Sequence, residues 1–135
     1  MKLLLDTNIC IYIIKKKPPE VLQRFGEYQV DEIGISAITI AELYYGAQKS
    51  KNLAQNLQAL EQFLLPLKIC DFDKPAAAAY GELRASLESQ GQPVGALDLL
   101  IAAQALSLKV PLITHNTNEF SRIPGLLIQD WVLNP

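Results

Sequence analysis

The stretch PVGALDLLIAAQALSLKVPLIT, residues 93–114, decides the fold. Its middle, Ala96 to Leu108, is apolar on nearly every face apart from Asp98, Gln104 and Ser107. That pattern predicts a helix enclosed on all sides rather than one lying half in water. Its end, Val110 to Thr114, predicts a short buried strand. An enclosed helix running into an apolar strand needs structure on both of its flanks. Parallel α/β sheets provide that environment.

Outward from this segment the alternation continues. Lys2 to Leu5, Ile33 to Ser36, Leu67 to Cys70 and Leu126 to Ile128 read as further short strands. Helices are predicted over Thr7 to Lys16, Pro19 to Phe25, Thr39 to Gln48, Asn52 to Leu65, Pro75 to Ser89 and Thr117 to Phe120. Leu53, Leu57, Leu60 and Leu64 repeat at the spacing of one helical face. Proline suits the first turn of the helices at residues 19 and 75, while Pro18 and Pro66 stop the helices before them. No internal repeat, linker or low-complexity tract interrupts the chain, so residues 1–135 read as a single domain. The expected fold class is α/β: a three-layer α/β/α sandwich around a short, mainly parallel central sheet. Ligands of such sheets gather beyond the carboxyl ends of the strands, at the point where strand order reverses.

Composition narrows the function classes. Of 135 residues, 50% are hydrophobic and 19% charged, which argues against disorder. Twelve basic against 14 acidic residues exclude a strongly basic nucleic-acid coat. No apolar run approaches the 18 or so residues of a membrane span, and Asp6 interrupts the first one, so a cytoplasmic protein with no membrane partner is expected. Cys10 and Cys70, with His115 as the single histidine, supply neither a disulfide framework nor a zinc set. Both cysteines read as small buried hydrophobes.

Four acids open helices: Asp6, Glu42, Asp98 and Glu119. Each has a purely structural reading. Asp6 suits an N-cap or Asx turn, Thr39 with Glu42 and Asn116 with Glu119 fit capping boxes, and Asp98 would complement a helix dipole. Capping does not explain why the most buried helix should aim a carboxylate into the molecule. In a parallel sheet the helix starts share one edge, so the four acids can converge, and converging carboxylates repel unless a cation intervenes. An all-oxygen set suits Mg²⁺, or Mn²⁺ in its place, better than zinc. Such a centre suits phosphodiester hydrolysis. Lys15, Lys16 and Lys17 read as a solvated helix end or as an RNA-backbone contact, and His115 as a residue at the site's periphery.

Taken together, Leu3-Leu4-Leu5-Asp6-Thr7-Asn8, Ser36 to Leu43, Val94 to Ala103, Thr114 to Phe120, Pro124-Gly125-Leu126 and Asp130-Trp131 resemble the PIN-domain ribonucleases, in particular the VapC toxins of bacterial type II toxin–antitoxin systems. The likeness spans essentially the whole chain. It implies a metal-dependent endoribonuclease acting on tRNA or another structured RNA, working as a homodimer and silenced by a cognate antitoxin. It assigns catalysis to Asp6, Glu42, Asp98 and Glu119 and metal binding to the same four with Asn116, where many relatives have aspartate. Thr7, Asn8, Lys15, Arg84 and His115 become candidate substrate contacts. Gln104 stands where relatives often carry histidine, and a structural role is expected of it. Tyr44, Tyr45, Leu57 and Phe63 are the side chains offered for a dimer surface. Two other readings remain: an inactive PIN-like partner-binding domain, and a PIN nuclease for RNA processing or DNA flaps.

Overall fold

The computed structural model describes residues 1–133; the last two residues of the expected domain, 134 and 135, lie outside the described residues. Five strands, β1 (Leu3–Leu5), β2 (Ile33–Ser36), β3 (Lys68–Cys70), β4 (Leu112–Ile113) and β5 (Ile128–Gln129), form one sheet in the order β3-β2-β1-β4-β5, and every pairing is parallel. The connecting helices are α1 (Thr7–Lys15), α2 (Pro19–Gly26), α3 (Ala37–Lys49), α4 (Leu53–Leu64), α5 (Lys74–Ser89), α6 (Ala96–Leu108) and α7 (Thr117–Phe120). The expected three-layer α/β/α sandwich is the fold found.

Strand periodicity assigns the two faces. Leu3 and Leu5 of β1 pack with Ile9, Val21, Leu43, Leu60 and Phe63 from α1 to α4. Leu4, between them, packs with Leu83, Leu87, Ile101 and Ala102 from α5 and α6. Each fully buried leucine of this kind contributes roughly 1.5–3 kcal/mol. A Cβ at Gly34 of β2 would displace the flexible Met1 thioether and sit tightly against Cys70 Sγ at 3.3 Å. Cys10 and Cys70 are free and buried, as small hydrophobes should be. After β5 the chain wraps back: Trp131 is buried, stacks on Tyr28 with ring centres 5.9 Å apart, and carries the Arg24 guanidinium 5.6 Å above it. Among the described residues no helix is long and apolar enough to cross a membrane.

Several boundaries move from their sequence-based positions, each for a local reason. The helix expected from Thr39 starts at Ala37, directly off β2, because the Ser36 hydroxyl already accepts the Ile38 amide at 3.0 Å. Ser36 is therefore the cap, Thr39 is fully buried inside the helix, and Glu42 stands in the second turn rather than the first. The strand expected from Val110 is only Leu112–Ile113. Lys109 adopts a left-handed conformation, φ 59°, and the Val110 amide returns to Ala105 O, so both residues belong to the stop of α6. Leu126 is likewise spent on a turn back to Ile123 O, and the last strand shifts to Ile128–Gln129. Phe63, offered for a dimer surface, lies in the core with its ring centre 6.1 Å from that of Phe25.

Candidate active site

Strand order reverses at β1: β2 and β3 extend to one side, β4 and β5 to the other. The crevice at that reversal opens beyond the ends of β1 and β4. Asp6 follows β1 without a loop, and Thr114 follows β4 in the same way. Asp6 stands at the N-cap position of α1, yet its side chain makes no cap bond. One oxygen, Oδ2, accepts the Thr114 hydroxyl at 2.8 Å, and the other, Oδ1, is buried with no partner among the described residues. Asp6 is only 3% exposed. Burial raises its pKa above the usual carboxylate range, Glu42 and Glu119 push the same way, and the Thr114 hydroxyl and Thr7 amide resist.

The other three acids arrive from three different helices. Asp98 enters in the first turn of α6, whose cap is Gly95 with no side chain to offer. Its pKa is raised to about 7, by burial first, then by a hydrogen bond shared with Glu119 and by the charges of Asp6, Glu119 and Glu42. Glu119 is lowered in turn, by the Asp98 proton it accepts and by the Gly95 amide. That amide donates to Glu119 Oε1 at 2.6 Å, and Asn116 Nδ2 donates to Oε2 at 2.8 Å. The expected capping box between Asn116 and Glu119 is not made, because the Asn116 amide donates instead to the Thr114 hydroxyl at 3.0 Å. Nor is the one between Thr39 and Glu42: Glu42 Oε1 accepts the Thr7 hydroxyl at 2.7 Å, from a different helix.

The structure thus gathers Asp6, Glu42, Asp98 and Glu119 into one field of interacting carboxylates, with the Asn116 amide bonded to Glu119. Among the described residues, no three His, Cys, Asp or Glu side chains close into a ready-made ion-holding group. The set is nonetheless fitted to a hard divalent cation. It offers oxygen donors only, it leaves Asp6 Oδ1 unpartnered in the interior, and it holds Asp98 up against three neighbouring acids.

The remaining candidates surround this group at varying remove. Asn8 Oδ1 lies 3.5 Å from the His115 amide, and His115 Nδ1 lies 2.9 Å from Asp130 Oδ2, its ring edge-on to Tyr12. Lys15 closes the last turn of α1 and, with Glu42, Ile11, Leu43 and Leu60, lines an apolar groove of about 400 Å³ between α1, α3 and α4. Arg84 bonds along its own helix, to Tyr80 and Glu88, rather than to any of the four acids. The cation beside Glu119 is Arg122, which also donates to Pro93 O at 3.2 Å. Gln104 is buried and its amide donates to Cys70 O and Asp71 O, fastening α6 to the end of β3.

Thr114, Arg122 and Asp130 were not among the candidate site residues, although Thr114 and Asp130 stand in the stretches that carry the family resemblance. Thr114 carried a usable signal, as a hydroxyl ending an apolar strand, a place that Ser36 also holds. Arg122 and Asp130 carried none, since their partners are set by the return of the chain after α7.

The chain is also similar to known proteins over nearly its whole length. Residues 3–126 match the PIN domain family. Over 131 residues the chain is 44% identical to a tRNA(fMet)-specific endonuclease VapC of Shigella flexneri, covering 97% of this chain and 98% of that one. Among solved structures, DNA-bound VapBC from Salmonella typhimurium superposes with a TM-score of 0.93 at 43% identity, covering 98% of this chain and 99% of the other. VapBC2 from Rickettsia felis, bound to a DNA fragment from its promoter, gives 0.90 at 41% identity, with 98% and 100% covered.

Proposed function

The chain belongs to the PIN-domain family, as a VapC toxin of a type II toxin–antitoxin system, and on that premise we propose that it is a Mg²⁺-dependent endoribonuclease that cuts tRNA. A ribonuclease toxin's function comes with family membership. The observation that carries the metal dependence is the buried Asp6 carboxylate, half unpartnered, facing three further acids at the switch point of the sheet. The tRNA substrate class is supported by the relative from Shigella flexneri, which is named for tRNA(fMet).

Asp6, Asp98 and Glu42 would hold the cation, with Glu119 and Asn116 at its edge. When bound, Mg²⁺ or Mn²⁺ lowers the pKa of a water nucleophile and offsets charge building on the phosphate. The chain's own work is to hold the acids in place. Thr114 fixes one oxygen of Asp6 and leaves the other free, and Thr7 turns Glu42 inward from α3. The Gly95 amide and Asn116 fix Glu119 against Asp98. The hydrogen bond between Asp98 and Glu119, with the raised Asp98 pKa, keeps these two acids side by side.

The cognate antitoxin is assigned to the groove between α1, α3 and α4. Its lining is mainly apolar and includes Glu42 beside Lys15, which suits an apolar segment whose basic residue meets Glu42. Pairing of two copies of the chain also belongs to the proposal, with Tyr45, 64% exposed, as the strongest of the side chains offered for it.

The test is incubation of the purified protein with total tRNA in Mg²⁺, in Mn²⁺ and in chelator, with the new RNA ends sequenced. Discrete cuts that need the cation are expected. Intact tRNA in both metals, or cutting that survives chelation, would overturn the reading.

A further inference from the structure

Between α5 and the loop of residues 90–95 lies a cavity of about 240 Å³, bounded by Tyr80, Arg84, Leu87, Gln92, Val94 and Leu99. It is smaller than the ~300 Å³ at which drug-sized ligand sites begin, a size that suits one flat ring system. Its floor is apolar, with Leu87 and Leu99 buried in the core against which Tyr80 and Val94 pack. Its polar side chains are Tyr80, Arg84, Glu88 and Gln92. Arg84 donates to the Tyr80 hydroxyl at 2.9 Å, and its side chain, like that of Glu88, is more than half exposed. Gln92 offers an exposed amide with both donor and acceptor.

This cavity adjoins the carboxylate field through covalent neighbours. Leu99, in its floor, follows Asp98. Val94 and Ala96, in its wall, flank Gly95, whose amide holds Glu119. Pro93, in the same wall, has its carbonyl tied to Arg122, the cation beside Glu119. A phosphate at the acids therefore has Arg122 on this flank, and the base of an adjoining nucleotide has an aromatic side chain, apolar walls and an amide within reach. Single-stranded RNA is recognised in this manner, through unstacked bases set against aromatic or guanidinium surfaces.

The geometry points to a nucleobase pocket: the cavity between α5 and the 90–95 loop receives one unpaired base next to the scissile phosphate, stacked at Tyr80 and read by Gln92. The inference rests on the ribonuclease reading and deepens it by naming where the RNA sequence beside the cut is sensed.

The test pairs two variants with two substrates. Wild type, Tyr80→Leu and Gln92→Ala are compared in single-turnover cleavage of an RNA hairpin carrying the mapped cut. Each is also given the same hairpin made abasic at the nucleotide on either side. Gln92 is exposed in a loop, so its variant keeps the fold even where Tyr80→Leu does not. Removing the base should cost wild type about tenfold or more at one of the two flanking positions. Each variant should lose several-fold to tenfold on the normal hairpin and nothing further on that abasic one. Variants that cut the normal hairpin like wild type, or losses that multiply with the abasic loss, would overturn the pocket. So would a change of oligomeric state in either variant on sedimentation, which would hand the cavity to a second copy of the chain. A second readout does not depend on cutting: tRNA containing 4-thiouridine, photocrosslinked to wild-type protein in chelator, should attach within residues 80–95. If those crosslinks form while no RNA is cut in Mg²⁺, the nuclease reading falls and the pocket stands. If RNA is cut but crosslinks lie elsewhere, the pocket falls and the nuclease reading stands.

Discussion

Two kinds of helix start occur in this molecule. At α3 and α5 the cap residue does the ordinary thing: Ser36 accepts the Ile38 amide and Asp73 accepts the Ala76 amide at 3.1 Å. At α1 and α7, on either side of the sheet's reversal, Asp6 and Asn116 occupy cap positions and cap nothing. The lack of a cap bond is not itself a mark of function, because Asn52 of α4 also makes none. The difference lies in where the side chain goes instead. Asp6 reaches a residue 108 positions away and Asn116 turns to Glu119, so side chains that could have steadied their own helices hold a shared charged centre.

The largest break in this contrast should come from Asp98→Asn. The change nearly keeps the volume and the fold but removes a charge and an oxygen ligand. Single-turnover RNA cleavage across a Mg²⁺ titration should fall on the order of 100-fold or more, given that even supporting partners of a metal site cost 10–100-fold. Wild-type cleavage in the folded variant would remove Asp98 from the site. The same variant sharpens the electrostatic argument. Folding raises the Asp98 pKa from an ordinary carboxylate value to about 7, so the folded state favours the protonated acid. Its contribution is most favourable below pH 4 and is lost as pH climbs through 7. In chelator, denaturation midpoints should therefore fall less between pH 5 and pH 8 in the asparagine variant than in wild type.

A smaller effect is expected from Thr114→Val. The hydroxyl it removes donates to buried Asp6 and accepts the Asn116 amide. Leaving a buried carboxylate oxygen without its donor costs about 1–3 kcal/mol, read in urea denaturation. Cleavage should fall about 10- to 100-fold with a weaker Mg²⁺ requirement curve. Unchanged cleavage would mean that Asp6 needs no fixing.

The mildest change is on the other side of the comparison. Asp73→Ala removes an ordinary cap that bonds none of the four acids and should cost about 1 kcal/mol of stability while leaving cleavage of RNA untouched. A matching loss of activity would erase the distinction between the two kinds of helix start.

How much of this was legible in the sequence follows from how local each signal is. The strand-to-helix alternation and the all-apolar α6 are neighbour patterns, and they gave the layers and most element positions. Asp6, Glu42, Asp98 and Glu119 could be picked out as acids at helix openings, because each opening is marked by adjacent residues. What those acids bond could not be read, since Thr114 to Asp6 and Thr7 to Glu42 are contacts between distant segments. Local grammar even misled: Thr39 with Glu42 is a well-formed capping box, overruled by a serine three residues earlier that met the backbone first. Arg84 shows the same limit from the other direction. Its charge suggested the site, and its position on α5 commits it to Tyr80 and Glu88.

The strand order also sets a timetable. β1, the earliest of these strands in the sequence, lies in the centre of the sheet and pairs with β4, more than a hundred residues further along. Closing a loop of that length precedes any gain from the contact, which makes the last pairing a slow event in folding. Asp6 and Glu42 precede both Thr114, which seats the first acid, and Glu119, which faces Asp98, so the carboxylate centre is complete only once the central strand has taken its late partner.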